Sequence, residues 1–410
     1  MVESRSLRMR QADNAHTDTL QVRKHRPDYW LLILTLILLS IGVIVIYSIS
    51  PALGLANNVS TNFYITRQLL AIALSAVAFA VTSHIPFHAW RRWYKPLLIV
   101  ASFATLVAIA MPVNPQYPAH RWVRLGSLSF QPVELLKFAV IVWLATLLSD
   151  RIKDGTITNA KRTLYPLIIG LMIIGIFVVG VQSDLGSAGV IVAIMGTIAF
   201  VAGMPLKRLM MIVGIIAIGV ILAVSAIPYR RERLLTFLHP AQNCQGSGYQ
   251  ACQALISVGS GGLIGLGLGR SVQAYGYLPE AANDSIFAIY AEKFGFIGVV
   301  LLLALFAAFF GKLKSIAERA PDNFSRFIVM GVLAWLSVQA IINIGAMVGL
   351  LPLKGITLPF ISYGGTSVVF LMSAIGVVFE ISRYTTYGHE TENAETRGRV
   401  AHESRFDRRR

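Results

Sequence analysis

The chain has 410 residues, of which 55% are hydrophobic and only 14% charged, with a mean hydropathy of +0.64. Soluble domains carry roughly 25% charged residues, so a soluble enzyme is excluded, and so much apolar surface excludes disorder for all but the ends. The formal net charge is +16, but it is better explained as a membrane orientation signal than by nucleic acid as a partner. The period-2 alternation of a membrane β-barrel is absent. What remains is an all-α polytopic membrane protein.

Residues 1–28 are polar and mixed in charge, and read as a solvated cytoplasmic tail. Ten stretches then follow, each near the roughly 20 apolar residues a span requires: 30–49, 65–84, 95–112, 132–149, 164–182, 185–203, 208–227, 284–311, 325–350 and 358–381. The fifth and sixth are separated only by Gln182, Ser183 and Asp184, and their combined length fits two helices with a tight break. Residues 384–410 form a second polar tail, so the membrane domain is expected over 29–383.

Loop cations set the orientation. With the N-terminus inside, 26 of the 36 Lys and Arg residues lie on the inner side and Lys137 and Lys293 lie within spans. Eight lie outside: Arg67, Arg121, Arg124, Arg230, Arg231, Arg233, Arg270 and Lys354. Both termini are therefore expected in the cytoplasm, as an even number of spans requires.

Charges inside spans are costly and are functional hypotheses by default. In Gln131-Pro132-Val133-Glu134-Leu135-Leu136-Lys137, the glutamate and lysine are at i, i+3 and can pair on one helical face. Asp184 sits at a helix break, which at membrane depth must face protein or a wet cavity. The long connection of about 228–283, expected outside, opens with Tyr229-Arg230-Arg231-Glu232-Arg233. It runs through a glycine series, Gly259 to Gly269, and closes with Tyr277-Leu278-Pro279-Glu280-Ala281-Ala282-Asn283-Asp284. Loops this long are usually functional, and the cations and carboxylates suit an anionic lipid-linked substrate. The alternatives are a glycine-rich packing or re-entrant segment, arginines on lipid headgroups, and Glu280 as a helix cap. Cys244 and Cys252 in this loop are compatible with a disulfide or with two free thiols. Glu292 lies about 80° around a helix from Asp284, roughly on one side. Gln339, Asn343, Lys354 and Ser362-Tyr363-Gly364-Gly365-Thr366-Ser367 add polarity near the last two spans.

Several separate motifs stand in a specific order: Arg121-Trp122-Val123-Arg124-Leu125-Gly126, Phe130 to Lys137, Asp184-Leu185-Gly186-Ser187-Ala188 and Gly248-Tyr249-Gln250. Tyr277 to Glu280 with Asp284, Asn343-Ile344-Gly345, Gly349-Leu350-Leu351-Pro352 and Leu358 to Gly365 complete the series. In these the chain resembles the SEDS family (shape, elongation, division and sporulation) from about Tyr29 to Arg383. The resemblance implies ten spans and a peptidoglycan glycosyltransferase that polymerises lipid II outside the bacterial plasma membrane. It also implies a class B penicillin-binding protein as partner, and Asp284 as the essential catalytic residue. Leu351 to Pro359, with its lysine, and the polar tails look like the division type, implying a septal location and divisome regulators. There are departures: Ser183 stands where the family usually has proline, and Ala274 replaces a frequent basic residue. Ala282-Asn283 replaces a common His-Thr pair, Lys293 a common acidic residue, and Thr366 a serine.

On this resemblance, Asp284 is the general base. Arg230, Arg231, Arg233 and Arg270, then Arg121, Arg124 and Lys354, are candidates for the leaving pyrophosphate, with Glu280 orienting the acceptor. Glu134, Lys137, Asp184, Asn343, Ser362, Gly364 and Gly365 are expected to shape the cavity. A divalent metal, magnesium or manganese, would rest on Asp284 and Glu280 if one is used. The alternatives are a lipid II flippase, an elongation-type polymerase and a non-catalytic scaffold.

Overall fold

The computed structural model describes residues 22–111, 121–125, 128–225, 235–238, 244–246 and 248–386. Ten helices match the ten expected spans: α1 (Tyr29–Ala56), α2 (Phe63–His84), α3 (Phe87–Ala110), α4 (Pro132–Lys153) and α5 (Tyr165–Ile174) come first. After α6 (Leu185–Val201) and α7 (Leu206–Ser225), an additional helix α8 (Tyr249–Ser260) lies in the long connection. Then follow α9 (Ile286–Glu318), α10 (Asn323–Met347) and α11 (Gly365–Ile381). Among the described residues, seven helical segments are individually long and apolar enough to cross a bilayer, that of α5 counted with the π-helical turns Ala160–Leu164 and Gly175–Val181 that flank it. The chain is a multi-pass helical membrane protein.

Four short strands close the ends and one loop. β1 (Val22–Lys24) pairs antiparallel with β4 (Tyr384–Thr386), and β2 (Val123–Leu125) with β3 (Leu128–Phe130). The first pair places both ends of the membrane domain on one side, as an even span count demands. It also corrects the expected tails. Residues 22–24 are anchored through the strand pairing, His25 N–H donates to Arg383 O at 2.8 Å, and Asp28 caps α1 and pairs with Lys312. The remainder of both tails lies outside the described residues.

α4 is the central helix. Phe138, Ala139, Val140, Ile141 and Val142 are buried in succession, all round the helix, as expected of a span enclosed by other spans. α10 packs against α4, α6 and α9, and α2 lies along α11. Small residues permit these close approaches. A Cβ on Gly331 of α10 would stand 2.8 Å from Ile141, and one on Gly376 of α11 would collide with Thr82 of α2. α3 and α5 are mostly exposed and read as lipid-facing.

Two spans are broken where sequence periodicity showed continuity. The stretch 358–381 becomes helical only at Gly365, because Phe360 is left-handed at φ 66° and residues 352–358 are irregular. α9 kinks at Gly295, with φ 64° and ψ −166°. The backbone groups released there are taken by the glycine series. Phe296 N–H and Ile297 N–H donate to Gly262 O and Leu263 O, and Leu266 N–H and Gly267 N–H donate to Glu292 O and Lys293 O. Glycine is required on both sides of this contact, since a Cβ on Gly265 would overlap Lys293 O and one on Gly295 would overlap Gly265 N. The glycine series is thus a segment packed into the break of α9.

Candidate active site

Asp284 lies two residues before α9, on a turn held from three directions. Within the turn, Asn283 N–H and Ser285 N–H both donate to Glu280 O (3.0 and 3.1 Å), and Ser285 Oγ donates to Pro279 O. From α8, Gln250 Nε2 donates to Ser285 Oγ at 3.1 Å. From α10, Asn343 Nδ2 donates to Asp284 O and Ile356 O, each at 2.7 Å. The irregular segment before α11 completes the frame: Ser362 Oγ donates to Asn283 O and Tyr363 N–H to Ala282 O. The turn at Asp284 is therefore fixed by three elements distant in sequence.

The carboxylate and a guanidinium both lie close to Gly355. A Cβ there would stand 3.2 Å from Asp284 Oδ2 and 3.3 Å from Arg121 Nη1, so a side chain at this position would press on both groups. Arg121 is held in turn by the break between α5 and α6: its Nε and Nη2 donate to Gln182 O (3.2 Å) and Ser183 O (2.6 Å). Ser183 is left-handed at φ 53°, a conformation closed to proline, whose ring fixes φ near −65°. The departure from proline at this position therefore accompanies a different break geometry. Asp184 is buried and caps α6 through Ser187 N–H at 3.0 Å. A Cβ on Gly186 in the first turn of α6 would stand 3.3 Å from Lys354 Cβ, which places the lysine stem against this helix start.

Beneath the turn runs a buried polar line. Lys137 Nζ pairs with Glu134 Oε1 at 2.7 Å, as the i, i+3 spacing implied, and donates to Gln339 Oε1 at 3.0 Å. Trp335 Nε1 donates to the same oxygen, and Gln339 Nε2 donates to Thr357 O at 3.0 Å. Gln339 and Asn343, four residues apart on α10, thus hold the backbone of residues 356–357 next to Gly355.

Several expectations need correction. Glu280 does not cap α9; its Oε2 accepts from Asn283 Nδ2 at 2.6 Å. Glu292 does not share a face with Asp284, because Asp284 precedes the helix. Glu292 accepts from Ser271 Oγ, Val272 N–H and Gln273 N–H, and Lys293 Nζ donates to Leu268 O. The two charges inside α9 hold the glycine series in place. Arg270 is exposed at the end of that series. Cys244 and Cys252 are joined, with Cα atoms 5.6 Å apart. Arg230, Arg231, Arg233 and the side chain of Arg124 lie outside the described residues. Gly364 and Gly365 start α11 beside Thr357 and Ala71.

Sequence reasoning undervalued Gln250, Trp335 and Ser285, whose roles depend on contacts distant in the chain. It also passed over Tyr64 and Arg67 of α2. The signal available for these was an arginine two residues inside an apolar span.

Among the described residues no three His, Cys, Asp or Glu side chains gather to hold a metal. The carboxylates of the turn are Asp284 and Glu280; a magnesium ion held there would take its remaining ligands from substrate oxygens and water.

The sequence profile of a family described as cell cycle proteins, grouping FtsW, RodA and SpoVE, matches residues 29–387. The chain belongs to the FtsW/RodA/SpoVE family. Stage V sporulation protein E of Bacillus subtilis is 37% identical over 370 residues, covering 90% of this chain and 100% of its own. The probable peptidoglycan glycosyltransferase FtsW of Coxiella burnetii is 37% identical over 371 residues, covering 89% of this chain and 97% of that protein. Among solved structures, a chain of a peptidoglycan synthase complex that coordinates polymerization and crosslinking superposes with a TM-score of 0.70 at 25% identity, over 87% of this chain and 98% of that one. Thermus thermophilus RodA, at 23% identity and covering 87% of this chain and 97% of its own, gives 0.63 and shares the fold. The broken helices and the fixed turn at Asp284 belong to an FtsW/RodA/SpoVE fold.

Proposed function

We propose that this FtsW/RodA/SpoVE member is a peptidoglycan glycosyltransferase that polymerises lipid II at the outer face of the bacterial plasma membrane, for septal wall synthesis. The names of its relatives support the activity. The observation that carries the mechanism is the setting of Asp284, a carboxylate on a fixed turn, with its Oδ2 and the Arg121 guanidinium both close to Gly355.

The acceptor is the 4-hydroxyl of the N-acetylglucosamine of one lipid II. The donor is the anomeric carbon of a sugar on polyprenyl pyrophosphate. As the acceptor oxygen bonds to that carbon, the carbon–oxygen bond to the pyrophosphate breaks and the hydroxyl proton passes to Asp284, acting as general base. Direct displacement inverts the anomeric centre. Arg121, immobilised by two carbonyls, offers fixed positive charge to the departing pyrophosphate, and such preorganised charge costs little reorganisation during reaction. Lys354, against the start of α6, and the exposed Arg270 are the further cations proposed to serve the pyrophosphate. Asp284 and Glu280 would hold magnesium or manganese, which would supply Lewis-acid charge to the departing pyrophosphate.

The class B penicillin-binding protein partner and the divisome regulators belong to the same reading. A structural relative that is a chain of a peptidoglycan synthase complex supports it. The transport alternative draws less support, because Glu134, Lys137 and Asp184 all hold protein groups together.

The test is polymerisation of labelled lipid II by purified protein, with and without its cognate penicillin-binding protein, beside Asp284→Ala. Glycan strands from wild type, and none from a folded, partner-binding Asp284→Ala, are expected. Equal product from both would refute Asp284 as base. No product from either with the partner present would favour transport or scaffolding.

A further inference from the structure

A second cluster of polar and aromatic side chains adjoins the turn, and the mechanism above leaves it unused. The outer end of α2 supplies Phe63, Tyr64 and Arg67. The Arg67 guanidinium lies 4.3 Å from the centre of the Phe63 ring and within electrostatic reach of the Tyr363 hydroxyl. Tyr64 and Tyr363 meet edge to face, with centroids 5.3 Å apart and planes at 69°. Asn57 Nδ2 donates to the Tyr64 hydroxyl at 3.1 Å, and Glu280 lies within electrostatic reach of that hydroxyl.

The cluster is joined to the catalytic turn by covalent and hydrogen bonds. Asn283, the neighbour of Asp284, donates to Glu280 Oε2 at 2.6 Å. Tyr363 N–H donates to Ala282 O at 2.8 Å. Glu280 is exposed and left-handed at φ 50°. That conformation is unfavourable for a non-glycine residue, and such strain collects at binding and catalytic sites.

We propose that Tyr64, Arg67, Glu280, Asn283 and Tyr363 form a saccharide-binding subsite that seats one hexosamine ring of the substrate beside Asp284. The assignment rests on the glycosyltransferase reading. Two aromatic rings set at an angle give a rigid apolar wall for the C–H face of a pyranose. The carboxylate, the amide and the guanidinium provide fixed acceptors and donors for hydroxyl and N-acetyl groups, and few convergent polar groups in an apolar setting are what orient a small ligand. Arg67 and Glu280 cancel in formal charge, which suits a neutral sugar and not the pyrophosphate that Arg121 faces. Asn283, which departs from the family's common threonine, directs Glu280, so it is a specificity-determining position in this chain.

The probe is the free disaccharide of N-acetylglucosamine and N-acetylmuramic acid, which carries neither pyrophosphate nor prenyl chain. Saturation-transfer NMR on full-length protein in nanodiscs should show transfer to the sugar protons for wild type and for Asp284→Asn. Arg67→Ala, Glu280→Ala and Asn283→Ala should lose it. In polymerisation assays the same three variants should raise KM for lipid II about ten-fold, the worth of one hydrogen bond to a charged group, with kcat nearly unchanged. Tyr363→Phe and Arg67→Lys, which keep the packing, replace any alanine variant that fails to fold. Undiminished transfer in all the variants, or a fall in kcat with KM unchanged, overturns the subsite. If Asp284→Asn still polymerises, the catalytic reading fails while sugar transfer still decides the subsite.

Discussion

Replacing Lys137 by methionine removes a cation that two buried groups share. Its Nζ lies 2.7 Å from Glu134 Oε1 and 3.0 Å from Gln339 Oε1, and 5.2 Å from the centre of the Trp335 ring. The side chains of the pair are 1% and 5% exposed, so the remaining Glu134 carboxylate would have no water to replace its partner. Breaking a buried ion pair on one side costs about 3–5 kcal/mol. Gln339 Oε1 would keep Trp335 Nε1 as a donor, so the loss falls mainly on Glu134. The double replacement Glu134→Leu with Lys137→Met removes both charges at similar volume, and such exchanges are often close to neutral. The single variant should therefore melt well below wild type in detergent, and the double variant should recover most of the loss. A coupling of about 3 kcal/mol between the sites is expected from the difference. Polymerisation by the single variant should fall as well, since Gln339 holds Thr357, two residues from Gly355, to which Asp284 and Arg121 both lie close. Additive losses in the double variant, or wild-type melting of Lys137→Met, would refute this account of the pair.

Joining Cys244 to Cys252 closes a short loop at the start of α8, whose Gln250 supports Ser285. Reduction, or Cys244→Ser with Cys252→Ser, should lower stability by about 2–3 kcal/mol, read as a reductant-dependent fall in melting temperature; an unchanged melt would refute it. Gly295→Ala places a methyl group against Leu263 and Gly265 at a φ of 64°. It should abolish folded, monodisperse protein, whereas Gly311→Ala, which meets nothing within 4 Å, should not. Ser183→Pro, which restores the residue common in the family, should destabilise this chain and reduce polymerisation. The required φ of 53° is unavailable to proline, and Arg121 loses the Ser183 carbonyl from its present position. A stability equal to wild type would show that the break can relax.

The ten helices and the end-to-end sidedness were legible because each depends on local sequence: twenty apolar residues in a row, and cations placed between such runs. The Glu134–Lys137 pair was legible for the same reason, being set by helical spacing alone. The breaks were not. Phe360 and Gly295 fall within runs, 358–381 and 284–311, that read as single spans, and what stabilises each break is distant in sequence, Ser362 reaching Asn283 O in one case and Gly262 accepting from Phe296 N–H in the other. Glu292 and Lys293 looked like membrane charges in search of a cavity. They satisfy a glycine-rich segment that no periodicity analysis would place at their depth. Arg67 was counted for orientation and not for chemistry, because its partner Tyr363 lies at the far end of the chain.

Three of the four left-handed non-glycine residues among those described, Ser183, Glu280 and Phe360, surround the Asp284 turn. Ser183 and Phe360 lie where a span is interrupted near its end, Glu280 lies in the turn before α9, and each of these non-helical stretches frees backbone groups that hold the turn. Arg121 binds the carbonyls at 182–183, Asn283 and Ser285 bind the carbonyl of Glu280, and Ser362, beyond Phe360, binds the carbonyl of Asn283. A continuous helix has no such groups to offer along its length, because each carbonyl is already bonded within the helix. Holding a carboxylate at the edge of a bilayer therefore requires broken helices. The free energy of their strained residues is offset by the hydrogen bonds that the breaks make possible. The same logic explains why Asn343 and Gln339, which never reach the outer surface, belong to the site. They anchor backbone that the breaks have released, and the position of Asp284 depends on them.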